Sequence, residues 1–114
     1  RPANRWMPRV DVFDRDNDLM VRTEVPGVDP ESIEITVEGG TLAIKGERTF
    51  QAEENTPEYH RKEIFEGSFE RTILLPKGID PEAVSATSKD GIVELSIPKR
   101  PEVLPRKVSI NVER

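Results

Sequence analysis

The chain of 114 residues contains no cysteine, which removes disulfide scaffolds, thiolate nucleophiles and cysteine-ligated metals together. Histidine is nearly as scarce. His60 stands alone, so neither a zinc site nor a histidine-based triad can be assembled without a second base. No stretch is long or apolar enough to span a bilayer or to serve as a signal peptide, and a cytoplasmic location is the resulting expectation. An excess of basic charge is lacking too: 22 acidic against 17 basic side chains leave a formal charge of -5, the reverse of the usual nucleic-acid binder. Glycines never fall into a G-x-G-x-x-G or P-loop spacing, so no nucleotide site is indicated. One run, Asp14-x-Asp16-x-Asp18, imitates the start of a calcium loop. Leu19 stands at its sixth position, where glycine is required, and Val25 at its twelfth, where a bidentate glutamate belongs. These gaps predict a chain with no catalytic residue, no cofactor and no metal.

What is present is one domain's worth of sequence, 34% hydrophobic and 34% charged, with ten prolines and seven glycines spread along it. Apolar residues recur at period two in one segment after another, the spacing that places them on one face of a strand. The runs are Val10 and Val12; Leu19, Val21, Thr23 and Val25; Ile33, Ile35 and Val37; Leu42 and Ile44; Phe69, Ile73 and Leu75; Val84 and Ala86; and Val93, Leu95 and Ile97. Turn chemistry separates them, at Asp16-Asn17-Asp18, Pro26-Gly27, Gly39-Gly40, Pro76-Lys77-Gly78 and Asp90-Gly91. Gly39-Gly40 and Asp90-Gly91 join adjacent runs with almost no extra loop and predict tight antiparallel hairpins. No window shows a helical period; the segments opening at Pro30 and Pro81 offer one turn of helix at most. Seven or more short strands with turns between them predict an all-β, immunoglobulin-like antiparallel β-sandwich.

Two segments break the rhythm. Residues 49–58 are polar, contain Pro57 and exceed an ordinary hairpin connection; they lead into Tyr59-His60-Arg61-Lys62-Glu63-Ile64, which could form one more short strand. After Pro98 the chain becomes charged and proline-punctuated, so it cannot extend a central strand. It ends in an alternating apolar segment, Val108-Ser109-Ile110-Asn111-Val112, carried on a spacer suited to reaching outward.

In order and spacing these residues resemble the α-crystallin domain of small heat-shock proteins of the bacterial and archaeal Hsp20 type. Trp6-Met7-Pro8 before Val10-Asp11-Val12 is similar to the family's W-x-P opening, Glu24-Val25-Pro26-Gly27-Val28 to its E-L-P-G-V turn, and Leu42 to Arg48 to L-x-I-x-G-E-R. Tyr59, Arg61 and Glu63 resemble its aromatic-x-R-x-E, Gly67 to Arg71 its G-x-F-x-R with Leu75-Pro76 following, and Ala86 with Asp90-Gly91-Ile92-Val93 its A-x-x-x-N-G-V-L. Asp90, Val93 and Val108-x-Ile110 depart from the commoner asparagine, leucine and I-x-I.

The resemblance implies an ATP-independent holdase that binds partly unfolded proteins, with no enzyme activity. It divides the chain into residues 1–8, a remnant of the family's long N-terminal arm, an α-crystallin domain over 9–98, and a C-terminal extension over 99–114. The opening at Arg1 without a methionine leads to the expectation that a longer natural N-terminus was removed or processed. Val108 and Ile110, or Ile110 and Val112 in a second register, are expected to enter a groove of a neighbouring subunit between the family's fourth and eighth strands, lined by Ile33, Ile35 and Val37 opposite Val84 and Ala86. The 49–64 excursion, with Tyr59, Arg61 and Glu63, is expected to pair with the partner's first core strand at Val10 and Val12, forming a dimer by strand exchange. Arg71, between Phe69 and Ile73 on an apolar face, should need an acidic partner or a route to solvent, and the resemblance places it near the subunit interface. The rival reading is a sandwich adaptor of the co-chaperone kind, which lacks the exchange loop and the V/I-x-I tail. Trp6 is expected to anchor the core.

Overall fold

The computed structural model describes residues 6–50, 57–105 and 107–113. Among the described residues seven strands form: β1 (Val10–Arg15), β2 (Asp18–Glu24), β3 (Glu34–Glu38), β4 (Thr41–Arg48), β5 (Gly67–Leu74), β6 (Ser85–Lys89) and β7 (Ile92–Pro98). They build two antiparallel sheets, one of four strands ordered β1-β2-β7-β6 and one of three ordered β3-β4-β5. Each alternating run between Val10 and Ile97 has become one strand.

The turns follow the chemistry of their residues. Gly39 and Gly40, at φ 59° and 78°, and Asp90 and Gly91, at φ 55° and 79°, put two consecutive residues in the left-handed region, the geometry whose twist matches the flanking strands of a two-residue hairpin. The proline segments make single 3-10 turns, Pro30–Ser32 and Pro81–Ala83. Asp29 and Asp80 cap them, their carboxylates accepting from the backbone N–H groups of Glu31 (3.0 Å) and Glu82 (3.1 Å). Ile33 and Val84 then return to extended backbone and end the turn.

The sheets face each other across Leu19, Val21, Val25, Leu42, Ile44, Phe69, Val93, Leu95 and Ile97, all buried, with Trp6 and Val10 packed against them. Parity decides which of two adjacent leucines is inside: Leu75 packs on the core, whereas Leu74 points outward and is 83% exposed. Met20 departs from parity, since Leu19 and Val21 take the inner face yet Met20 is also buried. Its cover lies on the outer face. Phe13 is its cross-strand partner, and the Arg22 guanidinium lies 4.7 Å from the Phe13 ring centre, held there by Glu94, which accepts from Arg22 Nη2 at 2.7 Å and from Arg15 Nη2 at 2.9 Å.

Candidate functional site

The strand order leaves β3 and β6 as edges of different sheets on the same side of the sandwich. Between them runs an open groove of about 270 Å³, lined by Ile35 and Val37 from β3, by Pro81, Val84, Ser85 and Ala86, and floored by the buried Leu95. Four of the five residues expected there are brought together. Ile33 is half-buried against the core and lies outside the lining, because it precedes β3 as the residue that closes the 3-10 turn. The groove stays open because every residue of β6 is exposed and none carries a large side chain into it.

The tail is fixed at its root and uncovered at its tip. Ile79 and Lys99 form an isolated bridge, the Arg100 N–H donates to Gly78 O at 2.7 Å and its Nε to Ile79 O at 3.0 Å, and Lys99 Nζ lies 3.0 Å from Asp14. Beyond these anchors Val108, Ile110 and Val112 are 85%, 86% and 72% exposed and belong to no strand. Apolar side chains left this open on an extended segment are adhesive groups without a surface to meet.

The opposite side of the sandwich carries the other two edges, β1 and β5. Arg71 bridges them. It is half-buried on the inner face of β5, as its spacing from Phe69 predicted, and among the described residues it takes no acidic partner: its Nη1 donates to the carbonyl of Pro8 at 3.0 Å, just before β1. Thr23 Oγ1 donates to Arg9 O at 2.9 Å, so the entry to β1 is held from both sheets. Val10 is half-buried and Val12 exposed; among the described residues β1 pairs only with β2.

Residues 57–66 form no strand within the chain. Tyr59 is 56% exposed, and Arg61 and Glu63, 3.8 Å apart, both face solvent. Local contacts tie residues 59–66 together and to the chain just after β4: Lys62 Nζ donates to Glu66 at 2.7 Å and lies 4.7 Å from the Tyr59 ring centre, while the Phe50 N–H donates to Glu66 Oε1 at 3.2 Å. The hydrogen bond from Lys62, then that from Phe50, holds the Glu66 carboxyl below the usual glutamate range; the same bond to Glu66 raises the Lys62 ammonium.

Arg48 was not anticipated as a functional residue. Counting by two from Leu42 and Ile44 along β4 reaches Gly46 and then Arg48, so parity alone marks a charge pointing inward. It is buried. Its Nε donates to Phe65 O and its Nη1 to Pro26 O, both at 3.0 Å, and the guanidinium lies 3.9 Å from the Trp6 ring centre. Trp6 packs edge-on against Phe69 at 5.0 Å and tilted against Phe65 at 5.9 Å, which makes it the anchor its position suggested.

Among the described residues no group of three or more histidine, aspartate or glutamate side chains is arranged to hold a metal ion, and no helix is long and apolar enough to cross a membrane.

A sandwich of seven strands among the described residues, with an edge groove and an exposed alternating apolar tail, defines an α-crystallin type of domain. The chain belongs to the Hsp20/alpha crystallin family, whose sequence pattern matches residues 11–112. It is 34% identical over 104 residues to small heat shock protein C2 of Rickettsia felis, covering 91% of this chain and 68% of that protein. Spore protein SP21 of Stigmatella aurantiaca is 32% identical over 105 residues, covering 92% and 62%. The chain thus spans about two thirds of the length of these relatives. Among solved structures, hspA from Xanthomonas axonopodis superposes with a TM-score of 0.74 at 37% identity, over 85% of this chain and 97% of that one. A small heat-shock protein from Xylella fastidiosa, described as having a distinct high order structure, superposes with a TM-score of 0.76 at 34% identity, over 95% and 99%. Membership of this family supports a chaperone role.

Proposed function

We propose that this chain is an ATP-independent holdase of the cytoplasm, which captures partly unfolded proteins on apolar surface and slows their aggregation. One observation carries the reading: the same chain has an uncovered apolar groove at β3 and β6 and an uncovered apolar tail at Val108, Ile110 and Val112. The tail of one subunit docks in the groove of another. Burying two branched aliphatic side chains contributes about 3–6 kcal/mol gross, and ordering the spacer offsets much of it. Each contact is therefore weak and reversible, and becomes effective only when multiplied over many subunits. An unfolded client segment competes for the same groove, so loosening of the tails by heat raises capture with no nucleotide involved.

Dimers form by exchange, the 59–64 loop of one subunit adding a strand to the β1 edge of the other. Such pairing satisfies the row of backbone donors and acceptors that β1 leaves open. An aggregation assay with a heat-labile enzyme tests the reading: at several-fold molar excess the chain should reduce light scattering in part. Unaltered scattering would overturn it.

A further inference from the structure

Three segments far apart in sequence converge on the Arg48 guanidinium: the turn at Pro26, the loop end at Phe65 and the chain entry at Trp6. Among the described residues no carboxylate pairs with it, so the charge is satisfied by two carbonyls and one aromatic face. Arg48 is the last residue of β4 and Phe65 lies two residues before β5. The bond between them therefore closes the base of the 49–66 loop, with the bond from Phe50 to Glu66 as a second rung. Trp6, stacked on the same guanidinium, lies four residues before Val10, where β1 begins.

We infer that Arg48 is a positioning residue for strand exchange: it ties the base of the donor loop to the entry of the acceptor strand, so that both halves of the exchange contact are held in register before a partner arrives. The inference rests on the exchange reading above. Without the tie the loop stems splay and the direction of the loop is no longer set, so ordering it on the partner opposes association. Lysine cannot replace this arginine, since an ammonium lacks the planar fork that reaches two carbonyls while stacking on a ring.

The test uses the whole chain with Arg48→Lys, in sedimentation across a dilution series. Trp6 is the only tryptophan, so its emission can be followed in the same samples, with far-UV circular dichroism to check the fold. In the wild type, emission and sedimentation should change together as the dimer dissociates. In Arg48→Lys the dissociation constant should rise roughly tenfold, the equivalent of one lost charge-assisted bond, and emission should cease to follow dissociation while the sandwich stays folded. An unchanged dissociation constant, or emission still coupled to dissociation, overturns the inference while leaving exchange intact. If deleting residues 51–58 leaves the wild-type dimer unaltered, the exchange reading fails and takes this inference with it. Should Arg48→Lys not fold, Trp6→Leu leaves both carbonyl acceptors of Arg48 in place and removes the ring stacked on the guanidinium, an apolar side chain still covering Phe65 and Phe69. It should weaken the dimer several-fold by sedimentation; an unaltered dimer refutes the tie.

Discussion

The ring of Phe69 lies over the α-carbon of Gly46 on the neighbouring strand, so close that a β-carbon there would come within 2.5 Å of the ring edge. Phe69 is buried and backed by Trp6, so it has little room to yield. Gly46→Ala should therefore destabilise the sandwich by about 1–3 kcal/mol and lower the melting temperature by on the order of 10 °C. Thermal denaturation measures this; an unshifted midpoint means that the ring is not confined.

Replacing Val108 and Ile110 together with alanine removes most of the apolar area of the tail. Because both are exposed in the single chain, its stability should change by less than about 0.5 kcal/mol, whereas large assemblies should fall to dimers in size-exclusion chromatography. Persistence of large assemblies excludes the tail as their link.

Ile35→Asp puts a carboxylate on the wall of the groove. Tail docking and suppression of client aggregation should weaken together, since the proposed function puts both on that wall. Loss of one without the other separates the two surfaces.

Deleting residues 51–58 should shorten the loop below the reach that the proposed exchange needs. A strand-exchanged dimer should bury above roughly 1,200 Å² in total, and the deletion should yield monomers or aggregates in analytical ultracentrifugation.

Acid should act on the outer face of the four-stranded sheet through Glu94. Hydrogen bonds from Arg22 and then Arg15 hold its carboxyl below the ordinary glutamate value of 4.5. A carboxyl depressed in the folded state adds stability that is complete above that value and is lost as pH falls through the folded pKa. Glu94→Gln should accordingly be less stable than the wild type near neutrality, and the two denaturation curves should converge below pH 4.5. A gap that persists into strong acid assigns the effect to packing.

The strands were legible because period-two burial leaves a direct trace in residue order: Leu19, Val21, Leu95 and Ile97 all fell on the predicted inner face. The hairpins at Gly39-Gly40 and Asp90-Gly91 were equally plain, since few residues accept positive φ. Four of the groove residues came together because β3 and β6 keep their parity at the sheet edges. What remained hidden depends on partners that sequence does not display. Arg71 and Arg48 both end on backbone carbonyls, which every residue has and no motif marks. Met20 is covered by side chains from neighbouring strands, a relationship fixed by register and invisible to a count along one strand.

The two open sides of the sandwich never meet, for β1 and β6 are the outermost strands of one sheet and β5 and β3 those of the other. On the proposed exchange and docking, a subunit joined to one neighbour at β1 would keep its groove vacant for another, and its tail could reach a third. Topologically each subunit is a node whose links do not exclude one another. If the tail docks as proposed, the direction in which the chain leaves Arg100 would decide whether such a network closes into a finite shell or grows as an unbounded mesh.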